Sequence, residues 1–174
     1  YRAFLSKTYD MSDAELDKRL HDKITAAQGG MGRMQTLAKI AREHGISIAS
    51  HDDDTPEKVA LIQGLGAVIS EFPINLETAK AAKAKGLFTL FGAPNILRGK
   101  SQSGSMRALD AVLNGVADCL CGDYSPAALL PAALQLPQLA GISLAQSVAL
   151  VTKNPAHAAG LTDRGQIAIG KRAD

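Results

Sequence analysis

Short apolar segments alternate with helical patterns along most of this chain, and this alternation limits the possible folds more than any other feature. Segments rich in β-branched and small apolar residues occupy 46–50, 67–72, 87–91 and 117–121, and a helical pattern follows each of them. Strand–helix units that repeat every 20 to 30 residues or so build parallel sheets with right-handed crossovers. The sequence therefore predicts an α/β fold.

Capping and stop residues locate the helices. Ser12 and Glu15 form a capping-box pattern that begins the first helix, and a Gly-Gly pair ends it. The other expected helices are 33–44, 56–63, 75–85, 106–114, 126–136 and 143–152, followed by a short helical segment that ends at Gly160. We expect residues 92–105 to form a long loop and Pro131 to kink or break its helix.

Composition argues against several classes of partner. Aromatic residues make up 4% of the chain and the formal net charge is +2, which suits neither a stacking surface nor a basic field for nucleic acid. The apolar segments are too short to cross a membrane. Cys119 and Cys121 lie two apart on one expected strand, badly placed to bond each other, and we interpret them as reduced residues of a cytoplasmic protein.

Polar side chains stand where the expected strands end. His51, Glu71 and Asp123 follow three different strands, and parallel strands bring their carboxyl ends to one edge of the sheet. A histidine and two carboxylates can bind a divalent metal there. Each also has an ordinary alternative: a hydrogen bond in a loop, a lysine partner or a turn cap. We interpret residues 52–54 as a solvated acidic run near a helix N-terminus.

The segment 92–105 is the second informative feature. It contains Arg98, Lys100 and several serines, and it leads into a helix. Backbone N–H groups, hydroxyls and a bidentate guanidinium can bind phosphate oxygens. The spacing of a Walker A loop is absent, and a mobile surface loop is the alternative.

These segments together resemble one family. The matching motifs are Ala49-Ser50-His51-Asp52-Asp53, Ser70-Glu71-Phe72-Pro73, Gly92-Ala93-Pro94-Asn95, Arg98-Gly99, Asp123-Tyr124 and, near the end, Asn154-Pro155-Ala156 with Asp163-Arg164-Gly165. They resemble the amidohydrolase superfamily and, within it, its phosphonate-metabolism branch. The resemblance covers most of the chain from about residue 35 onward.

The resemblance implies a metal-dependent (β/α)8 TIM barrel, of which residues 1–174 would hold roughly strands five to eight. Residues 163–174 would lead into a C-terminal β segment. It implies a divalent metal, Zn or Mn, with His51 and Asp123 as ligands and Asp123 handling the proton of the attacking water. Glu71 stands where many members have a histidine, and it is the third candidate ligand.

The implied activity is phosphoanhydride hydrolysis in a phosphorylated ribosyl compound, with release of pyrophosphate. Asn95, Arg98, Ser101 and Ser103 would bind the substrate. The family loop usually has Gly, His and Asn where this chain has Lys100, Gln102 and Ser105. A role for that histidine therefore does not carry over. The alternatives are another amidohydrolase, acting on a cyclic amide or amidine, and a non-catalytic anion-binding module.

The metal-binding His-x-His pair of the superfamily's first strand does not occur in these 174 residues, whose four histidines are never two apart. We therefore expect the isolated chain to be inactive. We also expect it to associate with the other half of the barrel or with a second copy, because a half-barrel leaves sheet edges unpaired.

Overall fold

A computed structural model describes residues 11–101 and 104–172 of the chain. The predicted substrate-binding residue Ser103 and its neighbour Gln102 lie outside the described residues. The chain divides into two compact units, 1–40 and 41–174. In the first unit, Ser12 caps helix α1 (Asp13–Ala27) with the predicted capping box, in which its hydroxyl and the Glu15 side chain bond reciprocally to backbone N–H groups. Helix α2 (Gly30–Glu43) continues past the boundary at residue 40.

The second unit contains a parallel sheet. Its strands are β1 (Ile48–His51), β2 (Ala67–Glu71), β3 (Phe88–Gly92) and β4 (Cys119–Cys121). In the described part of the chain they form one four-stranded sheet in the order β1-β2-β3-β4, and every neighbouring pair is parallel. The predicted α/β class is confirmed, with strand ends shifted by two residues or fewer. Parallel strands in consecutive order are what part of a (β/α)8 barrel requires.

Helices follow each strand. Thr55 caps α3 (Pro56–Gly64) and Asn75 caps α4 (Leu76–Ala84), each through a side-chain oxygen that accepts a backbone N–H. The later helices are α5 (Ala93–Arg98), α6 (Ala108–Leu113), α7 (Leu129–Ala140), α8 (Leu144–Ala149) and α9 (Lys153–Ala158), with a 3-10 turn at Pro126–Ala128. No helix among the described residues is long and apolar enough to span a membrane.

Strand register separates the two faces of the sheet. Phe91 and Leu120 are register partners, and both belong to the buried cluster that includes helical residues such as Ala132. The side chains that alternate with them face the other way, since successive strand residues point to opposite faces. His51 and Glu71 are register partners on that second face. The sheet therefore presents both side chains away from the helical layer.

Two expectations about irregular segments are wrong. The predicted loop 92–105 contains α5, whose Ala93, Pro94 and Ile96 are buried, so packing extends helix into this segment. Pro131 does not break a helix, because α7 begins at Leu129 and a proline in the first turn removes an N–H that has no intrahelical partner. The helix even continues past Pro137 to Ala140.

Candidate active site

A cavity of about 370 Å³ opens at the carboxyl ends of the strands. Five of the seven predicted site residues line it: His51, Asn95, Arg98, Ser101 and Asp123. The other lining residues are Asp52, Phe72, Pro73, Phe91, Gly92, Ser105 and Met106. The predicted residues that follow β1, β3 and β4 thus line one cavity, whereas Glu71 at the end of β2 is not among its lining residues.

The His51 side chain makes two contacts at the rim of this cavity. Its Nδ1 lies 3.2 Å from Oδ2 of Asp52, and its ring meets the Phe72 ring edge-on at a centroid distance of 5.2 Å. A carboxylate at one ring nitrogen fixes which nitrogen faces outward, as it does for histidines that bind metals. Both Asp52 and Phe72 therefore orient His51.

Backbone geometry marks the same rim. Asp52, Phe72 and Asp123 have φ values of 52°, 52° and 50°, and they are the non-glycine residues with positive φ in the described part of the chain. All three line the cavity. A left-handed conformation outside glycine costs about 1–3 kcal/mol and tends to occur at functional sites. The strand ends are thus strained where the cavity opens.

The interpretation of residues 52–54 as a solvated run is wrong for Asp53. Its side chain is 0% exposed, and Oδ2 accepts hydrogen bonds from Ser50 at 2.6 Å and Ser70 at 2.5 Å. Lys58 Nζ lies 3.5 Å from its Oδ1. The hydroxyls and the ammonium offset part of the penalty of burying a carboxylate, whereas Asp52 and Asp54 are exposed.

Glu71 shares the sheet face of His51 but is not among the residues that line the cavity. Burial raises the pKa of the Cys121 thiol, and the carboxylates of Glu71 and Asp123 raise that pKa further. Glu71 pairs in register with His51 of β1 and with Leu90 of β3, and Phe72, which follows it, lines the cavity. The structure brings His51 and Asp123 to one cavity, with Glu71 beside it.

Asp123 stands over the end of β3. A Cβ added to Gly92 would lie 3.5 Å from Asp123 Oδ2 and 3.7 Å from the Phe72 ring. The missing side chain at Gly92 therefore keeps this part of the cavity open beside the carboxylate. The neighbouring Gly122 allows the close turn that follows β4, as its built Cβ would lie only 2.8 Å from Cα of Pro126.

The Asn95 side chain hydrogen-bonds backbone groups near the start of α6, which the sequence did not indicate. Its Oδ1 accepts the backbone N–H of Ala108 at 3.0 Å, and its Nδ2 donates to the Met106 carbonyl at 3.4 Å. The side chain joins α5 to the start of α6, across the segment that carries Ser101. The two contacts lie eleven and thirteen residues along the chain, which is why a local pattern does not show them.

Arg98, the last residue of α5, contacts the turn after β4. It donates a hydrogen bond to the Tyr124 hydroxyl, and its guanidinium carbon lies 5.7 Å from the centroid of that ring. Ser101 and Ser105 share a hydrogen bond of 2.8 Å between their hydroxyls. Cationic and hydroxyl donors thus line the same cavity as the carboxylate of Asp123. Such a set can bind an anionic group next to a general base.

A complete metal centre does not form among the described residues, where no three His, Cys, Asp or Glu side chains stand close enough together to hold an ion. His51 and Asp123 line the same cavity, and imidazole and carboxylate are among the donors that catalytic zinc sites use. The metal roles of His51, Glu71 and Asp123 stay predictions.

The class of protein follows from fold and sequence together. The model of the amidohydrolase family matches residues 3–174, and the chain belongs to that family. Amidohydrolases are hydrolases that generally use divalent metals. Over its whole length the chain is 42% identical to alpha-D-ribose 1-methylphosphonate 5-triphosphate diphosphatase of Escherichia coli K12, and it covers 47% of that protein. A dihydroorotase of Methanopyrus kandleri is 38% identical over 82 residues, which are 37% of this chain and 19% of that enzyme.

Solved structures share the fold. An uncharacterized protein superposes with a TM-score of 0.62 at 15% identity. The superposition covers 83% of this chain and 41% of the chain of that protein. Ochratoxinase of A. niger gives a TM-score of 0.60 at 16% identity, with coverages of 81% and 38%. The chain spans about half or less of the length of each of these proteins. The identity to the diphosphatase confirms the resemblance to the phosphonate-metabolism branch.

Proposed function

We propose that the intact protein hydrolyses alpha-D-ribose 1-methylphosphonate 5-triphosphate in phosphonate catabolism and releases pyrophosphate. The observation that carries this proposal is the lining of one cavity by the Asp123 carboxylate and by Arg98. Hydrolysis of a phosphoanhydride needs a group that accepts the proton of water and cations that bind the phosphates. The 42% identity to the Escherichia coli diphosphatase supports the choice of substrate.

The proposed roles follow the positions of the side chains. Asp123 accepts the proton of the attacking water. Arg98 and Ser101 bind phosphate oxygens, and Ser103 is proposed from the sequence to join them. Asn95 holds the backbone of their segment through Met106 and Ala108, in addition to lining the cavity. Fixing the polyphosphate relative to the base reduces the entropic part of the barrier.

We propose a divalent metal as a property of the intact enzyme. Zn²⁺ or Mn²⁺ suits a mixture of imidazole and carboxylate donors, and such an ion activates water and neutralises phosphoryl charge when bound. His51, Asp123 and Glu71 are the candidate ligands that this chain contributes. Because the described residues form no three-ligand cluster, a working centre requires donors beyond them.

We also propose that the sheet gains further strands in the working enzyme. In the described part of the chain β1 and β4 each pair on one side only. Unpaired strand edges favour association with other strands, supplied either by the rest of the protein or by a second copy. The two free thiols, Cys119 and Cys121, are compatible with the expected cytoplasmic setting.

Product analysis of the intact enzyme tests the proposal. The ribosyl triphosphate should give pyrophosphate in the presence of a divalent cation, and a chelator should stop the release. Hydrolysis of a cyclic amide or amidine, without pyrophosphate release, would favour the second candidate, which the local identity to dihydroorotase suggests. Binding of inorganic phosphate without bound metal and without turnover of either substrate would favour an anion-binding module.

A further inference from the structure

Asp53 is a buried carboxylate two residues after His51, and the proposed reaction gives it no role. It follows two cavity-lining residues, His51 and Asp52, yet its own side chain is 0% exposed. An ionised group without partners in such a place costs several kcal/mol or more. A buried carboxylate in this place therefore needs hydrogen-bond and charge partners.

The partners of Asp53 come from two strands and a helix. Ser50 of β1 and Ser70 of β2 both donate to Oδ2, at 2.6 Å and 2.5 Å. Within the described part of the chain Oδ1 accepts no hydrogen bond, but Lys58 Nζ of α3 lies 3.5 Å from it. The carboxylate thus joins the first two strands and holds the lysine by charge.

Lys58 links the Asp53 carboxylate to the backbone of two residues that line the cavity. Its ammonium donates to the carbonyl of His51 at 3.2 Å and to the carbonyl of Asp52 at 2.8 Å. Asp52 has a φ of 52°, so these bonds hold the residue whose backbone is strained. The Asp52 carboxylate in turn lies 3.2 Å from His51 Nδ1.

The loop after β1 is also bound to the loop after β2. The Ile74 N–H donates to the Asp53 carbonyl at 3.0 Å, and the Asn75 side chain donates to the Asp54 carbonyl at 3.0 Å. These bonds keep Phe72, which packs edge-on against His51, in a fixed relation to that histidine. Asp53 thus takes part in both connections: its carboxylate lies near Lys58, and its carbonyl accepts the Ile74 N–H.

We propose that Asp53 is a positioning residue of the site: with Ser50, Ser70 and Lys58 it fixes the end of β1, where His51 and Asp52 line the cavity. The inference rests on the proposed function only in taking His51 as a site residue. Supporting residues of this kind set the orientation of the side chains that act directly.

Asp53→Asn is the sharpest probe because it keeps the size of the side chain and changes its charge. The amide oxygen can still accept from the serines, but its NH₂ group then points toward the Lys58 ammonium, and two donors face each other. Asp54→Asn is the matched control. It makes the same chemical change one residue away, on an exposed side chain.

The readout is the NMR correlation of the His51 imidazole in the intact enzyme, assigned with His51→Gln, together with thermal unfolding and turnover. Asp53→Asn should shift, broaden or split the His51 signal and lower turnover by about tenfold or more. Asp54→Asn should leave both unchanged. An Asp53→Asn enzyme that folds with the native His51 signal overturns the proposal.

If Asp53→Asn does not fold, Lys58→Met and Ser70→Ala take its place, since each removes one partner of the buried carboxylate. Both should change the His51 signal, and a native signal in both contradicts the positioning role. The NMR readout needs no substrate. A wild-type enzyme that releases no pyrophosphate would therefore refute the proposed function and leave this test intact.

Discussion

Arg98 donates a hydrogen bond to the hydroxyl of Tyr124, and its guanidinium carbon lies 5.7 Å from the centroid of the same ring. The contact links the helix after β3 to the turn after β4, since Tyr124 directly follows Asp123. Arginine over an aromatic ring gains a cation–π attraction, and the hydroxyl adds directionality. The proposed phosphate ligand and the proposed base are thus joined through one tyrosine.

Tyr124→Phe should weaken product inhibition by pyrophosphate about fivefold. The ring stays over Arg98, but the loss of a hydrogen bond worth about 1 kcal/mol leaves the guanidinium less well oriented. Tyr124→Leu removes the ring as well and should have the larger effect. Inhibition constants from steady-state assays measure both, and a native constant in Tyr124→Leu would refute the role of this contact.

Gly122→Ala should distort the turn that carries Asp123. The new Cβ would lie 2.8 Å from Cα and 3.4 Å from N of Pro126, and backbone atoms cannot move aside as a flexible side chain can. Such overpacking costs typically about 1–3 kcal/mol, and displacement of the base should lower kcat more than it raises KM.

Gly64→Ala is the control for that substitution. A Cβ built on Gly64 has no neighbour within 4 Å. Gly64 is the last residue of helix α3, where alanine restricts the unfolded chain more than glycine does and so favours the folded state. Calorimetry should give it an unchanged or slightly higher melting temperature, with native kinetics. Equal melting temperatures and equal kcat in the two variants would contradict the account of the Gly122 turn.

Features that depend on residues close together in the sequence were predictable, and those that depend on residues far apart were not. The capping box at Ser12 is a local signal, and the strand order alone brings His51 and Asp123 to one edge of the sheet. These predictions are confirmed. The interpretation of residues 52–54 as solvated is wrong for Asp53 because the composition of a loop does not show which carboxylate is buried.

The missed relationships join residues far apart in the chain. Ser70, which binds Asp53, lies 17 residues from it, and Tyr124 lies 26 residues from Arg98. The helix at Ala93–Arg98 was missed because Gly92, Pro94 and Gly99 suggest a loop, whereas burial of its apolar side chains favours a helix. Tertiary packing decides each of these features, and local propensity does not contain it.

Alkaline pH should destabilise the protein partly through Cys119. Burial, with the nearby charge of Asp118, raises the pKa of this thiol to about 12 from an ordinary value of 9.0. Below pH 9 the Cys119 thiol is protonated in both the folded and the unfolded protein. Between pH 9 and 12 the unfolded state releases the proton while the folded state keeps it, so the free energy of unfolding falls by about 1.4 kcal/mol per pH unit.

Cys119→Ala isolates that contribution. Urea unfolding at pH 8 and pH 10 gives the loss of stability for each protein, which removes the pH-independent effect of the smaller side chain. The variant should lose less than the wild type by roughly 1 kcal/mol. Identical losses in the two proteins would contradict the raised pKa of the buried thiol.

We propose that the cavity lined by His51 and Asp123 hydrolyses a phosphoanhydride. The decisive measurement is pyrophosphate release from the ribosyl triphosphate by the intact enzyme and by its Asp123→Asn variant. Asp54→Asn, the control for an exposed carboxylate, should release pyrophosphate at the native rate, and Asp123→Asn should lose about a hundredfold or more. Full turnover by a folded Asp123→Asn enzyme would contradict it.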